Sequence, residues 1–218
     1  MTIFGREMIL TRRFAGSWLF GLMFFALFAT VCAIALGGQR AAMAPIAAPL
    51  LWLAMILSVL LAAGPAWQAS MPNGFAEQLY LSGKSFAVFA ATKAITMWLS
   101  IILPLIALSY PLAAMFGLES EAALGTTLSL FIGSPAILAY AMVAGAATLR
   151  LAQGGVVIIL ISLPLLVPTL IFGLSLAQSF EATGFGKDGL ALLGISSLSV
   201  AAAIPAIAAI LQVIMEDG

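Results

Sequence analysis

Residues 18–36 read WLFGLMFFALFATVCAIAL, a stretch without a single charge. A lipid-facing barrel strand alternates polar and apolar side chains over about ten positions; this stretch does not alternate. Its length matches the roughly 20 apolar residues that an α-helix needs to cross the hydrocarbon layer. Helical geometry is also what lipid demands of a lone segment, because every backbone donor and acceptor must be satisfied within it. The stretch therefore reads as a membrane-spanning helix.

The same pattern recurs along the chain. Sixteen charged residues, 8 basic and 8 acidic, fall almost wholly between charge-free runs at 14–39, 41–76, 94–118, 122–149, 151–180 and 189–215. About ten Leu, Ile, Phe or Val contribute about −3 to −6 kcal/mol to insertion, whereas one central Lys or Asp costs about +2.5 to +3.5 kcal/mol. Keeping charge out of the runs lets each enter lipid unaided. Charged residues make up 7% of the chain and apolar residues 64%, against roughly 25% charged in a soluble domain. The expected fold is all-α: one transmembrane domain over 1–218, with spans at about 16–37, 45–66, 91–115, 124–147, 155–177 and 190–213. The polar stretches left over are too short to fold as separate domains, so chemistry that needs a soluble catalytic domain must come from a partner.

Composition excludes several functions. The chain has no histidine, which removes imidazole from metal binding, haem ligation and acid–base work. No carboxylate lies deep in a span, so the titratable midplane group of proton-coupled carriers is missing. Neither a ring of charge nor a convergent set of acids, bases and nucleophiles is present. The expectation is a chain without catalytic residues, without metal ligands and without a stably bound cofactor. Net charge is zero and no basic arm exists, which argues against nucleic acid. Cys32 is the lone cysteine and reads as a small core side chain.

Orientation follows from the cations. With the N-terminus inside, six spans return the C-terminus to the same side. Arg6, Arg12, Arg13, Lys84, Lys93 and Arg150 then lie inward and only Arg40 and Lys187 outward, as the positive-inside rule requires. Arg12, Arg13, Lys84, Lys93 and Arg150 are the expected inner-interface cations, with Lys93 snorkelling to that surface from about two turns inside the third span. Residues 1–13 suit a short interfacial helix, with Ile3, Phe4, Met8, Leu10 and Phe14 opposite the arginines; a frayed start is the competing reading. A cleaved signal peptide is disfavoured because the first apolar run exceeds the usual h-region of about 7–15 residues.

The most polar inward piece is 68–86. Pro72-Asn73-Gly74 is a turn signal that ends the second span, with Trp52 and Trp67 toward that span's two ends. Phe75 to Ser82 contain no helix breaker and suit a short helix between two spans. Gly83-Lys84-Ser85 resembles the end of a phosphate loop, but position 78 is Gln where that loop needs glycine. Prolines at 104, 111, 135, 164, 168 and 205 each remove a helical hydrogen bond. Pro164 and Pro168 do so on one face of the fifth span, as a hinge, a broken segment or a static kink. Ala141 with Gly145 and Ala144 with Thr148 are small-residue pairs that permit close helix packing, within the chain or across a dimer seam.

Two stretches resemble the CcmB family, the membrane subunits of an ABC-type complex in bacterial cytochrome c maturation. One is Asn73-Gly74-Phe75-Ala76-Glu77-Gln78-Leu79. The other runs from Gly133-Ser134-Pro135 through Arg150 and Gly154-Gly155 to the double-proline run Leu163-Pro164-Leu165-Leu166-Val167-Pro168. Where the family often has further Leu-Pro residues after its Glu-Gln motif, this chain has Leu81-Ser82-Gly83-Lys84. The resemblance implies a type-2 ABC exporter-like subunit in the bacterial inner membrane, present in two copies. The implied partners are a CcmA-like ATPase that binds the ATP, a CcmC-like haem-handling protein, a CcmD-like small membrane protein and the haem chaperone CcmE. Haem is handled by the complex rather than held by this chain. On that footing Gly74, Phe75, Glu77, Gln78 and Leu79 are the candidate ATPase-coupling residues, with Leu79 anchoring in an apolar pocket of the partner. A passive scaffold and a permease for another apolar solute are the rival readings.

Overall fold

A computed structural model describes residues 15–70, 79, 81, 83, 85–149 and 154–216. The described residues form six long helices: α1 (Ala15–Ala35), α2 (Ala47–Ser70), α3 (Phe86–Met115), α4 (Ser120–Ala147), α5 (Gly154–Thr183) and α6 (Gly186–Glu216). Among the described residues there is no strand. Helices α2 to α6 are each long and apolar enough to cross a membrane. Helix α1 has 21 residues, about 31 Å at 1.5 Å per residue. The chain is a polytopic all-α membrane protein. The interfacial helix expected at 1–13 lies outside the described residues.

Helix α4 is the centre of the bundle and packs against α2, α3, α5 and α6, while α1 lies outside, chiefly along α2. Two-thirds of the apolar stretch of both α2 and α4 is buried, 67% in each, against 28% in α5 and 22% in α6. Helices α5 and α6 thus turn most of their apolar surface outward. The small-residue pairs of α4 explain the close packing. Ala141, Ala144, Gly145 and Thr148 are all buried inside this chain, so packing within the chain occupies them.

Glycines make room for tryptophan. Trp52 on α2 is 0% exposed, and the benzo edge of its indole lies where a Cβ on Gly133 of α4 or Gly173 of α5 would stand. Its Nε1–H donates to Ser129 Oγ at 3.0 Å, which removes the penalty of burying an indole N–H. Trp67, near the other end of α2, lies on Gly145 of α4. Both tryptophans therefore face the bundle interior; they were expected only to mark the ends of the span. At this spacing no residue other than glycine lets the backbones of α4 and α5 come so near an indole.

The prolines are accommodated locally. Pro135 has no N–H to give the Phe131 carbonyl. Ser134 Oγ donates to that carbonyl instead, at 2.8 Å, and accepts from Trp98 Nε1 at 3.0 Å. The Trp98 ring meets Phe131 edge-on, with centroids 5.4 Å apart. Ser196 Oγ of α6 donates to the next carbonyl, that of Ile132. Loss of one backbone bond in α4 thus recruits side chains from α3 and α6. Opposite Pro135 α3 widens into a π turn, Trp98–Ile102, just before Pro104. Such turns bend a helix locally. Helix α5, by contrast, continues through both Pro164 and Pro168 without a break.

Candidate coupling site

Helix α2 ends at Ser70 and α3 begins at Phe86. The start of α3 has a clear local cause. Gly83 adopts φ +65°, with nothing within 4 Å of where a side chain would stand. Ser85 is the N-cap of α3, its hydroxyl accepting from the Ala87 N–H at 3.2 Å, one of the donors that a helix start leaves without a partner. Gly83 is thus a turn residue and Ser85 a helix cap. Capping at Ser85 also starts α3 five residues before the span expected from 91.

Gly74, Phe75, Glu77 and Gln78 lie outside the described residues, as do Arg12, Arg13, Lys84 and Arg150. The residues around them that are described revise two expectations. Leu79, expected to anchor in a partner, is 4% exposed and belongs to this chain's own hydrophobic core, as does Phe86. A leucine already buried in this chain gains nothing by moving to another pocket. Leu81, two residues on, is 83% exposed, an apolar side chain that this segment offers outward. The helical spacing of Phe75 and Leu79 marks an apolar face but does not say whether that face looks inward or outward, and Leu81 was missed for that reason.

The second concerns Lys93, whose side chain is closed in by this chain's own helices, at 1% exposure. Its Nζ donates to the Ala66 carbonyl of α2 at 2.8 Å and lies 5.0 Å from the centroid of the Trp67 ring. An ammonium there meets the negative end of α2 and the π face of an indole, both within reach of a lysine stem. One turn earlier on the same face of α3, Phe89 meets Trp67 edge-on at 6.3 Å. Trp67 in turn rests on Gly145 of α4. Phe89, Lys93, Trp67 and Gly145 therefore tie α3, α2 and α4 together directly beneath the two roots of the 71–84 connection. Nothing in the sequence pattern pairs Lys93 with Trp67, because the contact spans a connection whose path the pattern leaves undetermined.

Pro164 and Pro168 sit one turn apart on the exposed side of α5. Between α3, α4 and α6 two adjoining hollows of about 200 and 570 Å³ share Trp98, Pro135 and Val200 as walls. The inner one is lined wholly by apolar side chains, among them Ala90, Ala94 and Met142. The groove lies at the level where the π turn of α3 faces Pro135 of α4.

Comparison with known proteins agrees with this architecture. The family model described as CcmB protein matches residues 1–214. The chain is 31% identical over 206 residues to Heme exporter protein B of Rhodobacter capsulatus, covering 91% of this chain and 92% of that protein. It is 31% identical over 218 residues to Heme exporter protein B of Haemophilus influenzae, covering 100% and 99%. The same named protein of Paracoccus denitrificans is 31% identical over 205 residues, 94% of each chain. The match runs through the connection at 71–84, the central α4 and the double-proline α5 alike, and this chain belongs to the CcmB protein family.

Proposed function

We propose that this chain is the membrane-spanning permease subunit of an ABC-type complex in cytochrome c maturation. It couples ATP hydrolysis in a CcmA-like partner to haem export, to release of haem-loaded CcmE, or to both. The observation that carries the reading is the family match from one end of the chain to the other, with relatives named as haem exporters. The six charge-free runs occupy most of the given sequence, and in this reading the fuel enters through a partner. The complex lies in the inner membrane with both termini of this chain cytoplasmic, CcmC-like and CcmD-like proteins beside it and two copies of the subunit.

The 71–84 connection is the handle for the ATPase. Glu77 and Gln78 supply polar contacts and Leu81, 83% exposed, supplies the apolar one. Glu77→Lys reverses the charge at this contact and is expected to leave ATP hydrolysis running while cytochrome maturation fails. Leu81→Glu is expected to weaken copurification of the ATPase in mild detergent. Full maturation by Glu77→Lys together with unchanged capture by Leu81→Glu would sink the handle. A second reading, a passive scaffold that only holds the ATPase beside the haem-handling subunit, is favoured by one observation: α5 runs unbroken through Pro164 and Pro168.

A further inference from the structure

An ammonium inside a membrane span is expensive and marks function by default. Lys93 is the described lysine or arginine that is buried in this bundle, at 1% exposure. Its partners include the Ala66 carbonyl at 2.8 Å, the Trp67 ring at 5.0 Å and, through that ring, Gly145 of α4. Packing alone gives a weak reason to keep a cation there, because Met is close to Lys in length and carries no desolvation penalty. What the cation adds is direction. A charge-assisted bond to one carbonyl fixes the rotation and depth of α3 relative to the end of α2, which apolar packing alone does not.

We infer that Lys93 is a positioning residue for energy coupling: it locks the two roots of the 71–84 connection to each other and, through Trp67 and Gly145, to the central helix α4. A push on the connection then moves α2, α3 and α4 as one body instead of being absorbed as slippage between α2 and α3. The inference rests on the coupling role proposed above. It assigns the transmitting step to a residue beneath the handle, outside the surface that meets the ATPase.

The test uses the full complex, assembled with the wild-type chain, Lys93→Met, Lys93→Arg, Gly145→Ala and Glu77→Lys. Three quantities are read: the thermal midpoint of the assembled complex, its ATPase rate, and cytochrome c matured per ATP hydrolysed. Lys93→Met is expected to keep the midpoint and the ATPase rate while maturation per ATP falls about tenfold, the scale of one lost charge-assisted hydrogen bond. Lys93→Arg keeps a cation and donor over the indole and retains coupling. Gly145→Ala moves Trp67 and lowers maturation per ATP in the same direction. Unchanged maturation per ATP in Lys93→Met, beside an uncoupled Glu77→Lys, overturns the clasp alone. So does a fall matched by an equal loss of midpoint and assembly, which is the signature of a merely structural lysine. If no ATPase accompanies the wild-type chain, the coupling reading itself fails and takes the clasp with it.

Discussion

Gly173→Val is expected to prevent assembly of the native bundle. The Cβ of any residue at 173 would stand on the Cζ2 and Cη2 atoms of Trp52, and a valine adds two methyl groups that cannot rotate clear of a helix. The indole has nowhere to retreat. Its other near neighbour is Gly133 of α4, where the same edge already fills the space of a side chain, and its Nε1 is bound to Ser129. Overpacking a fitted core costs about 1–3 kcal/mol and occasionally more; here two backbones and a hydrogen bond move together, so the upper end applies. Detergent-extracted Gly173→Val should give little monodisperse protein, with a thermal midpoint well below wild type. The cause is checked by compensation. Trp52→Leu removes the ring that valine strikes, and the double variant should be more stable than the sum of the two losses predicts, the sign of residues in direct contact. Additive losses would show that Gly173 acts elsewhere.

Trp52 and its two glycines also show how far the sequence alone reaches. The class of the fold was legible because insertion depends on summed hydrophobicity, and runs such as 18–36 carry that sum without reference to any partner. The places of the long helices followed from the same runs. Which helix faces which was not legible. Trp52, Gly133 and Gly173 lie far apart in the chain, and no periodicity in α2, α4 or α5 says that they meet. The seats of Trp67 and Lys93 were illegible for a related reason. Tryptophan and lysine near span ends ordinarily mark the interface, and that rule says nothing of their neighbours within the bundle. The local fact that decides it is a glycine on a third helix, Gly145, which opens an inward seat for the indole beside which Nζ meets the Ala66 carbonyl. The turn at Gly83 and the cap at Ser85 lie nearest the opposite extreme, because both are set by residues adjacent in sequence.

Pro164→Ala combined with Pro168→Ala is expected to leave the complex assembled but stop cytochrome maturation. Each proline withholds an N–H from the carbonyl four residues earlier, those of Leu160 and Pro164. The helix continues through both, yet on one side it is held by two fewer backbone bonds. Directly after Pro168, the Thr169 hydroxyl is buried with no hydrogen-bond partner, a cost of about 1–3 kcal/mol that a small rearrangement of α5 could recover. Unsatisfied groups beside a weakened ladder are what a helix with two arrangements of similar energy requires. Alanine at both positions restores the two bonds. At about 0.5–1.5 kcal/mol each, they favour the straight form by about 1–3 kcal/mol, which shifts a two-state equilibrium about 5–150-fold. Both side chains are exposed, so the substitutions open no cavity and the thermal midpoint should hold or rise. A moving subunit then loses maturation while keeping its ATPase and its partners. A scaffold does not need α5 to bend, and normal maturation by the double variant would favour that reading and remove α5 from the transmission path.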